Sequence, residues 1–451
     1  MTDVRIVAAK VLLAVDAREA TLATALDRAR ADVSPADRGL LVELTTGVIR
    51  WRNALDAVIA SASRRSTKTL EPEVLAVLRL GTYQLRHLDR VPDHASIDSS
   101  VRAIRVLRRT SAASLVNATL RAIVRRGPAI SLPARPAEHA HIDAQVNYLT
   151  VTLSHPAWLV RRWIARLGFD ATEAWCRFNN TAPDVTIRSV SGAPRDATIA
   201  ALHASRIVAE PSRYVDDAVR LSPGVLGRVP PALRAGLWVQ DEAAQLVARY
   251  AGARPAERVL DLCASPGGKT LVMAADMRTN ADAAAGALVA CDHRPGRVAL
   301  LASTLRQAHV PAAIVRVDAR LPLPFGPVFD CVLLDAPCSG LGTVRREPDL
   351  KWSRSVDDLP ALATAQLHML RVAADAVAPG GRLVYATCSS EPDENDDVVD
   401  AFLTEDRRFE AGPAGPVPGE LIDARGRLVT RPDRHGLEAF YAAVLVRRRG
   451  A

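Results

Sequence analysis

Aromatic residues are scarce in this chain of 451 residues, where Phe, Tyr and Trp together make up 4%. An extended stacking platform for nucleic-acid bases is therefore not expected. Lysine is scarcer still, since only four of the 58 basic residues are Lys. Six cysteines in so long a chain are too few for a disulfide scaffold, which points to a reducing cytoplasm. No apolar run nears the ~18 to 20 residues of a membrane span. The opening residues, Met1-Thr2-Asp3-Val4-Arg5, lack the basic, apolar and small-residue succession of a secretory leader. With 49% hydrophobic and 24% charged residues the chain is neither disordered nor fibrous. Its length suits roughly two to four domains.

What the chain does have is an uneven charge. The net +8 sits wholly in residues 1–130, with 21 Lys+Arg against 13 Asp+Glu, while the remainder sums to zero. Residues 101–130 hold seven arginines and no acid. Read at helical spacing, Arg102, Arg105 and Arg109 share one face, and Arg121 and Arg125 share another. An anionic partner such as a phosphate backbone would relieve the repulsion among them, although a solvated helix surface would look similar.

The pattern along the chain changes twice. From Val4 to Arg126 apolar residues recur at three- and four-residue steps, separated by breakers such as Ser34-Pro35 and Val91-Pro92, which predicts an all-helical bundle. A Pro-bearing linker follows, then a mixed α/β segment, so that residues 131–236 join the bundle to a third part. From residue 237 short apolar runs alternate with helical stretches. The runs are 259–262, 287–291, 313–317, 331–334 and 383–386, with a later one at 439–446. This alternation predicts a doubly wound, Rossmann-like domain over 237–451 with a mostly parallel sheet, and ligands at the carboxyl ends of its strands.

The residues that carry chemistry fall at those ends. The first run is followed by Cys263, Ala264, Ser265, Pro266, Gly267, Gly268 and Lys269. The two glycines allow close backbone approach, and the next helix offers free N–H groups. A phosphate-binding P-loop needs glycine where Cys263 stands, and the dinucleotide fingerprint is absent. Asp292, Asp318 and Asp335 close the next three runs. Three carboxylates around one crevice favour a nucleoside-bearing cofactor, with Asp292 suited to ribose hydroxyls. Cys338 and Cys388 lie 50 residues apart in sequence, yet both follow strands that should be neighbours. A thiolate nucleophile and a second thiol acting on protons would suit covalent catalysis. No spacing supports zinc, so no metal is expected.

Four segments then resemble a known family. They are Asp-Leu-Cys-Ala-Ser-Pro-Gly-Gly-Lys-Thr (261–270), Leu-Asp-Ala-Pro-Cys-Ser-Gly-Leu-Gly (334–342), Arg-Arg-Glu-Pro-Asp-Leu-Lys-Trp (345–352) and Ala-Thr-Cys-Ser (386–389). The chain is similar to the bacterial 16S ribosomal RNA cytosine-5 methyltransferases of the Sun/Fmu type. Residues 1–130 resemble a NusB-type RNA-binding bundle through Leu-Arg-Leu-Gly-Thr-Tyr-Gln-Leu (78–85) and Val-Asn-Ala-Thr-Leu-Arg (116–121). The resemblance implies a seven-stranded methyltransferase sheet, with S-adenosylmethionine against residues 263–269, Asp292 on its ribose and Asp318 near its adenine. It makes Cys388 the nucleophile and Cys338 the residue that assists release, with Asp335 facing the cytosine.

The implied chemistry is coherent. Cytosine C5 is a poor nucleophile until a thiolate adds at C6, and the target base must be unpaired or flipped out. A thiol of ordinary pKa, ~8.5, is mostly protonated at neutral pH, so a nearby cation should favour the Cys388 thiolate. Lys269, Arg345, Arg346 and Lys351 lie in the motifs as candidates. The expected partner is 16S ribosomal RNA, with no membrane, and the expected state a monomer. Transfer RNA or another RNA remains open as substrate, as does a NusB-like assembly role with catalysis secondary. The chain departs from the family at Ile187-Arg188-Ser189-Val190, in an Ala-rich stretch over 276–286, and at His435-Gly436-Leu437-Glu438.

Overall fold

The computed structural model describes residues 3–137, 139–278 and 286–450. Most of the Ala-rich stretch, 279–285, lies outside the described residues. The chain forms two compact units, one of residues 1–181 with 344–356, the other of 182–343 with 357–451.

The first unit is helical. Helices span Val4–Asp16, Leu22–Ala29, Arg38–Arg50, Arg52–Ser63, Pro72–His87, Asp93–Val106 and Ala113–Arg126. Their starts follow capping chemistry: the Asp3 side chain accepts from the Arg5 N–H, Thr21 accepts from Thr24, and Pro72 occupies the first turn. The helix Pro72–His87 runs through the core and buries Val74, Val77, Leu78, Leu80 and Tyr83. Gly47 is required where its helix crosses Tyr83, since a Cβ there would lie 2.0 Å from the ring. Arg79 is buried on this helix and is balanced by Asp56 at 2.7 Å and Asp16 at 2.8 Å.

Helices Ala157–Leu167 and Phe169–Asn179 complete this unit, together with residues 344–356. That segment is tied in closely. Lys351 Nζ donates to the Arg50 carbonyl (3.0 Å), Trp352 Nε1 to the Ile49 carbonyl (2.8 Å), and Arg50 Nη2 to the Arg345 carbonyl (3.0 Å). Asp349 accepts from the Leu22 N–H at 3.0 Å.

The second unit opens with an antiparallel sheet of β1 (Val185–Ser189), β2 (Glu210–Pro211), β3 (Ala218–Leu221) and β4 (Leu237–Val239), in the order β2-β3-β1-β4. Arg188, one of the departures from the family, is a buried residue of β1 and lies 3.9 Å from Asp217.

The larger sheet contains β5 (Arg258–Leu262), β6 (Ala287–Asp292), β7 (Ala313–Arg316), β8 (Phe329–Asp335), β9 (Val377–Thr387), β10 (Phe409–Ala411), β11 (Leu428–Val429) and β12 (Tyr441–Arg447). Its order is β10-β12-β9-β8-β5-β6-β7, with β11 paired to β12. Each apolar run in the sequence is a strand. The sheet gains an eighth, the two-residue β11, and is mixed: β5 to β9 pair in parallel, while β10, β11 and β12 pair antiparallel. Strand order reverses between β5 and β8, which leaves a crevice at their carboxyl ends. Register pairs Leu262 with Leu334 and Asp335 with Ala386, so the loops after β5, β8 and β9 emerge side by side.

Among the described residues no helix is long and apolar enough to cross a membrane.

Candidate active site

The loop after β5 is shaped by two glycines. Gly267 has φ +109°, and a Cβ there would stand 3.0 Å from the Thr304 methyl carbon. A Cβ on Gly268 would meet the Gln240 carboxamide at 2.9 Å. Cys263 and Ala264 begin the loop, whose Ala264 N–H donates to the Cys291 carbonyl at 2.7 Å. Ser265 is buried with its hydroxyl unpartnered, and Pro266 is exposed. Asp261, fully buried at the end of β5, accepts from Thr270 Oγ1 at 2.6 Å through one oxygen while the other has no partner. Burial pushes its carboxyl up to about 7 against the opposing pull of the Thr270 hydroxyl.

The other two strand-end acids sit further along this edge. Asp292 is buried and accepts from Arg297 Nε at 3.0 Å and from the Arg294 N–H at 3.3 Å. Each oxygen keeps a lone pair for a hydroxyl donor. Asp318 is gripped by the Arg320 fork at 2.9 and 2.7 Å. That hydrogen bonding lowers its pKa to about 2 despite a small opposing desolvation.

Asp335 and Lys269 form an ion pair of 2.7 Å between the loops after β8 and β5. Burial works against the Lys269 charge, but the Asp335 carboxylate more than offsets it, and the Cys388 thiolate would favour that charge as well. Lys269 also lies over the Phe440 ring, 5.6 Å from its centroid. The other cation candidates within the motifs behave differently. Lys351 is fully buried in the helical unit, where desolvation drives its pKa far down and its Nζ donates to the Arg50 carbonyl. Arg345 stacks over Phe178 at 4.5 Å in the same unit.

Cys338 and Cys388 come together, Sγ to Sγ, at 3.1 Å. Both are free thiols and partly exposed. The hydrogen bond with Cys388 and burial together raise the Cys338 pKa. Glu394 fastens both loops: fully buried, it accepts from the Ser339 N–H (2.8 Å), from Gln366 Nε2 (2.9 Å) and from the Ser389 hydroxyl. Gly342 adds a backbone stitch, its N–H donating to the Cys388 carbonyl at 2.9 Å and its carbonyl accepting from Ala439 at 2.9 Å. Glu394 lies five residues beyond the family-like segment 386–389, and its function as a brace has no local signature. Gln240 lies in Val-Gln-Asp (239–241), which resembles the family's entry into the catalytic domain, whereas Gln366 and Phe440 carry no motif.

The arginines at the end of the helical bundle divide into two groups. The helix ends at Val106, Arg108 takes φ +62°, and Arg109 therefore leaves the face on which helical spacing places it. It turns instead to Glu71 at 2.9 Å and Glu73 at 3.0 Å. Arg102 pairs with Asp3 at 3.1 Å, and Arg121 donates to Asn117 within its helix. Arg105 and Arg125 are exposed and hold no carboxylate among the described residues. No group of three or more His, Cys, Asp or Glu suited to a metal occurs among the described residues.

Residues 251–446 match the family model described as 16S rRNA methyltransferase RsmB/F, residues 2–125 match the NusB family, and 155–225 match the ferredoxin-like domain of RsmF/B-like methyltransferases. Ribosomal RNA small subunit methyltransferase B of Pseudomonas putida is 34% identical, with 98% of each chain covered. The probable ribosomal RNA small subunit methyltransferase B of Bacillus subtilis is 33% identical over 91% of this chain and 90% of that one. Among solved structures, PH0851 shares the fold with a TM-score of 0.78 at 22% identity over 99% of both chains. NSun6 from Pyrococcus horikoshii with SFG superposes at TM-score 0.56 and 17% identity, covering 66% of this chain and 99% of that one.

Proposed function

Since the chain belongs to the family of ribosomal RNA small subunit methyltransferase B, we propose that it methylates C5 of a cytosine in 16S ribosomal RNA, using S-adenosylmethionine. The observation that carries the chemistry is the thiol pair at 3.1 Å beside the Lys269–Asp335 ion pair.

The loop after β5 fits the cofactor. A side chain at Gly267 would crowd Thr304 and one at Gly268 would collide with Gln240, so the loop presents bare backbone, and the buried Asp261 and Ser265 keep polar atoms unpartnered there. Cys263, Ala264, Ser265, Pro266, Gly267, Gly268 and Lys269 would hold it, with Asp292 at the ribose and Asp318 toward the adenine. When bound, it supplies an electrophilic methyl group to the activated carbon.

The chain's own residues do the rest. The Cys388 thiolate adds to C6 of the cytosine, which places electron density on C5. The Asp335 carboxylate accepts from the cytosine amino group, and from N3 when the ring carries a proton there, and its pairing with Lys269 fixes its direction. A base then removes the C5 proton, either Cys338 as its thiolate or a water that it orients, and breakage of the bond between Cys388 Sγ and C6 restores the 5,6 double bond and frees the product. Lys269 is the motif cation that lies in this unit, held on Asp335. None of these steps needs a metal.

A division of labour follows, in which residues 1–130 hold RNA, 131–236 connect and 237–451 catalyse, with the protein acting as a cytoplasmic monomer. Bisulfite sequencing of total RNA from a strain lacking the gene tests the reading. One 16S cytosine should lose its mark. A lost mark in transfer RNA with 16S unchanged would identify another substrate, and no lost mark would refute the activity.

A further inference from the structure

The helical unit contains a cavity of about 420 Å³ that takes no part in the chemistry above. It opens between the turn at 15–21, Arg52 and residues 349–354 of the same unit. Its size suits one nucleotide rather than a duplex. One wall is planar and cationic: the Arg52 guanidinium lies 5.3 Å from the centroid of the Trp352 ring. In a chain with six tryptophans, an indole at a cavity wall is uncommon enough to single out.

The charges lining the cavity leave a positive excess. Three arginines, Arg18, Arg52 and Arg354, face two acids, Asp16 and Asp349. Arg52 is paired to Asp16, but burial, the largest influence, and the neighbouring Arg79 both press against its charge. Arg18 is exposed at the mouth with no partner for its guanidinium among the described residues, held there on a backbone of φ +58°. Asp349 is buried, gives one oxygen to the Leu22 N–H and keeps the other available.

We infer that this cavity binds a single unpaired nucleotide of the RNA, away from the cytosine that is methylated. This rests on the chain acting on RNA. The base lies against the Arg52–Trp352 wall, where a planar π-system meets a stacked guanidinium. Asp349 accepts a hydrogen bond from the base's amino or imino N–H. The phosphate is met by Arg18, the only one of the three arginines that projects from the surface without a carboxylate or other partner among the described residues. The site reads local single-strandedness, which fits a protein too poor in aromatics for an extended platform.

Arg18→Gly is the discriminating variant, because glycine adopts the positive φ without strain and the fold is kept. Full-length wild type and variant are titrated with in vitro transcribed 16S ribosomal RNA across a range of salt. The slope of log Kd against log salt should fall by about 0.7 to 0.9, the loss of one phosphate contact, with weaker binding at every salt concentration. Trp352→Leu also forfeits the bond to the Ile49 carbonyl and so lowers the thermal midpoint, but at a temperature where both proteins are fully folded it should weaken binding by about 5-fold or more. Photocrosslinking with 4-thiouridine-substituted RNA should label peptides containing residues 15–21 or 349–354. An unchanged slope in Arg18→Gly, or crosslinks that avoid both peptides, overturns the site. If the wild type neither binds nor methylates the RNA, the reading of the function fails instead.

Discussion

The Sγ atoms of Cys338 and Cys388 stand 3.1 Å apart although 50 residues separate them in the chain. The contact follows from register: Asp335 pairs with Ala386, and Cys338 and Cys388 lie three and two residues beyond that pair. Two thiols in contact can divide one reaction between them, one bonding carbon while the other moves a proton.

Replacing each cysteine should therefore give different failures. Cys388→Ala should transfer no labelled methyl while binding S-adenosylmethionine as the wild type does. Cys338→Ala should slow turnover by about 10²- to 10⁴-fold and accumulate a covalent protein–RNA adduct, visible on a denaturing gel. A fully active Cys388→Ala enzyme would refute the nucleophile assignment.

Glu394 holds both cysteine loops from within the core. Glu394→Gln keeps its shape but removes the charge and turns one acceptor into an N–H₂ donor, so the bonds from Ser339 and Gln366 weaken and the Ser389 hydroxyl must turn from donor to acceptor. Thermal unfolding should show a loss of about 1 to 3 kcal/mol, and kcat should fall more than the affinity for cofactor.

Gly342 tolerates no side chain. A Cβ would lie 2.0 Å from the Ala439 carbonyl oxygen and 2.8 Å from that of Cys388. Gly342→Ala should therefore separate the thiols and lower methyl transfer sharply, at a stability cost of about 1 to 3 kcal/mol. Wild-type kinetics in this variant would show that the backbone stitch is dispensable.

Asp261 gives the fold a pH dependence. Its carboxyl titrates at about 7 when folded, and near 4 when unfolded. Between those values the folded state retains a proton that the unfolded chain has released, so stability falls as pH rises. Asp261→Asn mimics the protonated form and should lose this slope. Denaturant midpoints at pH 5 and pH 7.5 should then converge relative to wild type.

Of the five arginines that helical spacing singles out, Arg105 and Arg125 are exposed without a side-chain partner among the described residues and are free to meet phosphate. Alanine at either should weaken RNA binding and reduce its salt dependence. Arg109→Ala should instead affect chiefly the fold, because it breaks the contacts to Glu71 and Glu73. Equal losses of RNA affinity at Arg105 and Arg109 would contradict this division.

Much of this was readable in advance because parallel strands buried on both faces appear as short apolar runs, and the motif residues follow them directly. Val259 to Leu262 and Cys331 to Leu334 are of this kind. The brace at Glu394 was not readable, since a carboxylate in a polar loop looks solvated until Ser339, Gln366 and Ser389 are known to converge on it. Arg109 was misplaced because helical spacing carries no mark of where a helix stops, and Arg108 ends it by turning left-handed. Lys351 looked like a cation for catalysis because its motif neighbours are catalytic. Its Nζ instead bonds the Arg50 carbonyl inside the helical unit, some 300 residues earlier in the sequence.

Residues 344–356 also set the order in which the protein can mature. The helical unit is synthesised first, yet Asp349, Lys351 and Trp352, which close its interior, are made more than 150 residues after Thr181. While the ribosome is still translating the methyltransferase strands, the bundle stands unfinished, with the Arg50 and Ile49 carbonyls awaiting their donors. A gene truncated after residue 181 would encode a bundle without its closing piece, whereas one that continues past residue 356 supplies it.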